Sequence, residues 1–109
     1  MIFIAVKFTV HSADRDNWLP AVEDFTLATR KEPGNVFFEW SYSVENPDQF
    51  ILLEAFASPE AGVAHVQSQH FAAAMDTMAD LIAETPEIIN VEVPGEGWSR
   101  MAELTPRSR

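Results

Sequence analysis

Val36-Phe37-Phe38-Glu39-Trp40-Ser41-Tyr42-Ser43-Val44, then Glu45-Asn46-Pro47-Asp48, then Gln49-Phe50-Ile51-Leu52-Leu53-Glu54-Ala55-Phe56-Ala57 reads as two strands joined by a tight turn. Pro47 suits the first central position of such a turn, and so short a connection makes the two strands antiparallel. Both strands are apolar on both faces. Phe38, Trp40 and Tyr42 oppose Phe37 on the first, and Ile51 and Leu53 oppose Phe50, Leu52 and Phe56 on the second. A sheet of this kind has to be covered on both sides.

Upstream, Glu32-Pro33-Gly34-Asn35 stops a helix that spans about Ser12 to Lys31, where Trp18, Val22, Phe25 and Ala28 recur at intervals of three and four. Pro20 allows two readings: a helix capped by Asp16 or Asn17 that starts just before it, or a longer helix from near Ala13 kinked there. Before the helix, Ile2, Ile4, Val6, Phe8 and Val10 alternate with Phe3, Ala5, Lys7 and Thr9, a period of two that predicts a strand. Downstream, Ser58-Pro59-Glu60 opens a helix that reaches about Gln67. A second helical piece carries Phe71, Met75, Met78 and Ile82 on one face and ends before Pro86, and Glu87 to Val93 forms the last strand.

The resulting order, strand, helix, strand, strand, helix, strand, is the split βαββαβ pattern of an α+β, ferredoxin-like domain over residues 1–93. Its helices cover one sheet face. A second copy of the chain is the economical cover for the other, so a homodimer is expected. Residues 94–109 form an extension bearing Trp98, Met101 and Leu104, expected to dock on the partner subunit or over a pocket mouth, with 105–109 loose.

One domain suits 109 residues, of which 47% are hydrophobic and 22% charged. A formal charge of -10 argues against nucleic acid and anionic membrane surfaces as partners. The absence of cysteine excludes disulfides, thiolate metal sites, iron–sulfur clusters and a thiol nucleophile. With no apolar run long enough for a membrane span and no signal-peptide pattern, a cytoplasmic location is expected.

Glu32-Pro33-Gly34-Asn35, Phe37-Phe38-Glu39-Trp40, Leu53-Glu54-Ala55-Phe56-Ala57-Ser58 and His65-Val66-Gln67-Ser68-Gln69-His70-Phe71 together resemble the antibiotic biosynthesis monooxygenase family of dimeric α/β-barrel proteins. The resemblance covers residues 1–93 and implies a homodimer. Relatives in that family include quinol and anthrone monooxygenases, haem-degrading oxygenases and sugar-phosphate isomerases. Haem-degrading members carry an asparagine, a tryptophan and a ligating histidine where this chain has Val6 or Lys7, Phe56 and Met75, so haem is not expected. Anthrone-oxidising members also tend to carry tryptophan at the Phe56 position, which leaves quinol-type members as the closer likeness.

His65 and His70 are five residues apart, about 140° around an ideal helix, so they do not share a helix face. A break near Ser68 would reorient them, but Asp76 and Glu60 are third ligands only by proximity, and no metal is expected. His70 reads as a joint residue bonded to backbone or to Ser68; His65 reads as either a surface residue or a titratable pocket group. His11 reads as a solvated loop residue. Glu39 and Glu54 lie in apolar strands, where a carboxylate is paired, hydrogen-bonded or raised in pKa, and Glu54 shares its parity with Phe50, Leu52 and Phe56.

Phe25, Phe38, Trp40, Leu52, Phe56, Phe71 and Met75 are the candidates to wall a substrate pocket between sheet and helices, and Met78 lies with them in the sequence pattern. No nucleotide or flavin fingerprint is present, and no cofactor is expected. An oxygenase built this way takes its electrons from the substrate. That suits a small electron-rich aromatic such as a quinol reacting with dioxygen, with His65, or a histidine linked to Glu54, as the base and His70 beside it. Two alternatives stand beside it: an isomerase of a small metabolite, for which Lys7, Arg30 and Lys31 are the few anchors for a phosphate, and a dimer that binds a small aromatic ligand without turnover.

Overall fold

The computed structural model describes all 109 residues. Four strands, β1 (Ile2–Thr9), β2 (Asn35–Tyr42), β3 (Gln49–Phe56) and β4 (Glu87–Glu92), form one antiparallel sheet in the order β2-β3-β1-β4. Helices α1 (Arg15–Ala21) and α2 (Glu23–Arg30) lie between β1 and β2, and α3 (Pro59–Val66) and α4 (Gln69–Ala79) between β3 and β4. This is the α+β, ferredoxin-like architecture expected from the order of elements.

The strand register aligns the apolar positions of even number. Ile4 pairs with Glu54, Val6 with Leu52 and Phe8 with Phe50, while Phe38 and Trp40 meet Glu54 and Leu52 from the other side of β3. These side chains face the helices and, Trp40 apart, are buried. The opposite face carries Phe3, Phe37, Ile51 and Leu53, with Ile89 and Val91 of β4 exposed. One extra residue in β2 between Asn35 and Phe37 makes a bulge, which the Asn35 amide holds by donating to the carbonyls of Phe37 and Ala55 at 3.0 and 3.2 Å.

Pro20 lies inside α1, and the helical path breaks two residues later at Val22 (φ -99°, ψ 5°) before α2 starts. A short turn at Ser12–Asp14 precedes α1, so the kinked reading is the nearer one, although the break falls after the proline. On α4 the buried positions are Ala74 and Met78, with Phe71 partly buried and Met75 41% exposed. The packed stripe follows intervals of three and four from Phe71, which turns Met75 away from the face expected for it.

In the C-terminal extension, Trp98 packs against Phe37 on the sheet face away from the helices, with ring centroids 5.3 Å apart. Trp98 nevertheless stays 67% exposed, and Met101 and Leu104 are exposed as well.

Candidate functional site

Three local features bring the polar residues together. Alternation along β3 points Glu54 at the helices between Leu52 and Phe56. The loop after α2 passes so close to α3 that a Cβ on Gly34 would overlap the Ala61 Cβ, and the Gly34 carbonyl accepts the Ala57 N–H at 2.8 Å. Only glycine permits this approach. It seats Glu32 beside the face of α3 that carries Ala61 and, one turn later, His65.

The third feature is Ser68. Its hydroxyl donates to the His65 carbonyl at 2.6 Å and accepts the Phe71 N–H at 3.2 Å, so it closes α3 and caps α4. The two histidines therefore lie on different helices, and the 140° separation of a continuous helix does not hold. The structure brings both rings onto a single oxygen. His65 Nδ1 lies 2.8 Å and His70 Nε2 2.6 Å from Oε2 of Glu32. An ionised carboxylate only accepts, so each of these nitrogens donates an N–H to it. In a neutral ring this leaves the lone pair of His65 on Nε2, which stands 3.7 Å from Oε1 of Glu54. That separation is too long for a direct hydrogen bond.

His65 and Glu54 are 3% and 6% exposed, deep burial for such groups. Burial, and secondarily the charge of Glu32, pushes the Glu54 pKa from 4.5 up to about 7. Phe56, Phe71 and Phe25 surround the His65 ring with centroids at 4.7, 5.2 and 5.6 Å. A cavity of about 380 Å³ opens beside it, walled by Ile2, Ile4, Phe56, Gly62, Val63 and Val66 with Asn90 of β4 at the edge. A larger hollow, about 690 Å³, lies elsewhere, between Phe37, Glu39 and the Trp98 extension, and no histidine lines it.

The candidate residues divide accordingly. His65, His70 and Glu54 come together, with Phe25, Phe56 and Phe71 around them. Phe56 also lines the cavity. Phe38 and Leu52 are packed in the core, and Phe38 meets both Phe25 and Trp40 edge-on. Trp40 lies toward Trp18 and donates its Nε1–H to Thr26, and Met75 is turned outward. Glu39 and His11 are exposed. In the sequence Glu32 is visible only as part of a helix stop. The one signal it carries there is a carboxylate placed immediately before Pro-Gly, where the chain turns back toward the sheet.

Asp76 and Glu60, the acids nearest the histidines in sequence, take no part in the cluster; the carboxylate that does comes from a distant loop, 33 residues before His65. The cluster can therefore hold one imidazole in a fixed tautomer, in the wall of an apolar cavity, with its second nitrogen turned toward Glu54.

Comparison with known proteins agrees with this architecture. A candidate antibiotic biosynthesis monooxygenase of Nitrosomonas europaea superposes with a TM-score of 0.79 at 26% identity, covering 85% of this chain and 98% of its own. Candidates of the same kind from Caulobacter crescentus (TM-score 0.82, 22% identity, 86% of this chain and 90% of that one) and Deinococcus radiodurans (0.81, 20%, 94% and 100%) share the fold. No curated protein matches the chain. The antibiotic biosynthesis monooxygenase profile matches residues 1–77, more than half of the sequence, and the chain belongs to that family.

Proposed function

We propose that this protein is a cofactor-independent monooxygenase that oxidises a small hydroquinol-type aromatic with dioxygen. The observation that carries the reading is His65: buried, held through Nδ1 by Glu32, and set in the wall of an apolar cavity. A carboxylate on one ring nitrogen orients the imidazole and stabilises its protonated form, which suits the other nitrogen to proton abstraction. His65 takes a phenolic proton, and the mostly aliphatic lining around Phe56 shields the resulting anion from water. The phenolate is the electron donor. Oxygen transfer then balances as hydroquinol plus O2 giving hydroxyquinone plus water, the substrate supplying all four electrons.

His70 shares the Glu32 oxygen and supports its position, and Glu54 stands where it can exchange a proton with Nε2 through a bridging hydroxyl. Two copies pack through the sheet faces that carry Phe3, Phe37, Ile51 and Leu53; sedimentation equilibrium at twice the chain mass of 12.2 kDa is the expected result.

The test is dioxygen consumption by chelator-stripped protein given a panel of hydroquinols and anthrones, beside a boiled control. Uptake above autoxidation, with water as the product of the second oxygen atom, is expected. No uptake across the panel contradicts the reading.

A further inference from the structure

The convergence of Glu32, His65 and His70 has a second chemical meaning that the oxidation reading does not use. Oε2 of Glu32, Nδ1 of His65 and Nε2 of His70 all lie within 4.8 Å of one another. We propose that these three atoms form a binding site for a divalent first-row transition metal, with zinc as its simplest occupant.

The donor set is two imidazoles and one carboxylate, a combination that suits zinc and its neighbours rather than calcium or magnesium, which prefer oxygen cages. Three protein ligands also leave the fourth position of a tetrahedral zinc to a water. The charge is right as well. No lysine or arginine lies within 4 Å of Glu32 or Glu54, and Arg30 is spent on the Phe38 carbonyl, so the only basic side chains against the two acids are the imidazoles. Metal bound at Nδ1 of His65 places the ring proton on Nε2, and Nε2 faces the Glu54 carboxyl at 3.7 Å. An outer carboxylate on the far nitrogen of a ligating histidine is the usual support of such sites, and Glu54 reaches that position by closing less than about 1 Å. His70, finally, keeps 27% of its side chain exposed, which gives an ion a way in.

The adjustment required is small. Ligands at about 2.1 Å in a tetrahedral site lie about 3.4 Å apart. The glutamate therefore withdraws slightly from positions 2.8 and 2.6 Å from the two nitrogens, while the imidazoles close on the ion. Glu32 sits on a loop and His70 on the first turn of α4, so neither movement disturbs the sheet. Zinc at Nδ1 also removes the lone pair on Nε2 that base catalysis needs, so metal and substrate deprotonation exclude each other at His65.

The experiment is a titration of Zn2+ into chelator-stripped, full-length protein against a chromophoric competitor, with Co2+ absorption recorded in parallel and no aromatic substrate present. One equivalent per chain is expected, with the intense visible band of four-coordinate Co2+. His70→Ala and Glu32→Gln are each expected to weaken binding by roughly 100-fold or more, and Glu54→Gln by roughly 10- to 100-fold. Far-UV circular dichroism checks that each variant folds. Absence of stoichiometric binding to the unaltered protein, or of the four-coordinate Co2+ band, overturns the site without recourse to variants. Binding that is unchanged in folded His70→Ala overturns it too. None of these readouts involves oxygen, so failure here leaves the oxidation reading standing, and failure of oxygen uptake leaves the metal site standing.

Discussion

Phe50 and Glu54 lie four residues apart on β3, point to the same side of the sheet and are almost equally withdrawn from water, at 1% and 6% exposure. Around Phe50 the molecule is built from rings. Trp18 packs on Phe8, Phe50 and Trp40 with centroids at 5.1, 5.8 and 5.8 Å, and Trp40 adds a hydrogen bond to Thr26. Around Glu54 the same layer is built from two imidazoles and two carboxylates inside a ring of phenylalanines. An apolar residue would fill position 54 at no electrostatic cost. The aromatic end thus contributes stability, whereas the polar end gives some up for chemistry, which is where departures from a consistent core are expected.

The largest effect that sharpens this contrast is at the aromatic end. Trp18→Ala empties a site with 0% exposure and is expected to cost about 3–5 kcal/mol in urea unfolding. A loss under about 1 kcal/mol would mean that Trp18 is not the anchor of that end.

Next comes the polar end, where stability depends on pH. Folding raises the Glu54 pKa from 4.5 to about 7, so the folded protein holds a proton that the unfolded chain releases. The stabilisation relative to the ionised state is complete below pH 4.5 and is lost as pH rises through about 7. That range corresponds to about 3 kcal/mol. Glu54→Gln is therefore expected to gain stability relative to the unaltered protein between about pH 5 and about pH 8, by up to that amount. Urea midpoints that keep the same difference at both pH values would show that Glu54 is not buried as described.

Smaller effects fall on the joints. Gly34→Ala drives a methyl group against Ala61 and is expected to cost about 1–3 kcal/mol, with the loop that carries Glu32 displaced from His65. His70→Ala removes one of two hydrogen bonds to Glu32 from a partly exposed side chain, and a loss of about 1 kcal/mol in thermal or urea unfolding is expected. A cost equal to that of Trp18→Ala would make His70 a structural residue of the first rank and weaken the contrast.

The strands are legible in the sequence because a period of two in Ile2 to Val10, and a short turn at Glu45-Asn46-Pro47-Asp48 between two apolar runs, leave little choice, and Ser58-Pro59 is a strong helix start. Glu54 is legible too, as the one acid within the apolar run from Phe50 to Phe56. The cluster itself is not. Its carboxylate lies in a loop 33 residues before His65, and only the close approach of Gly34 to Ala61, a tertiary contact, brings the two together. The joint at Ser68 is the other obstacle. Periodicity treats residues 65 and 70 as neighbours on one cylinder, but a side chain that bonds the His65 carbonyl and caps the next helix sets a new axis between them. Met75 is obscured differently. Its spacing from Phe71 fits a helical stripe equally well on two registers, and packing of Ala74 and Met78 selects the one that leaves it outside.

The most direct measurement compares oxygen uptake by His65→Ala and by the unaltered protein on the best hydroquinol of the panel, both metal-free and both shown to be folded. Loss of the proton acceptor is expected to slow turnover by roughly 10²- to 10⁴-fold, the range of general base catalysis. Equal uptake by the two proteins would contradict the assignment of His65 as the base and, with it, the reading of the polar end as the reactive one.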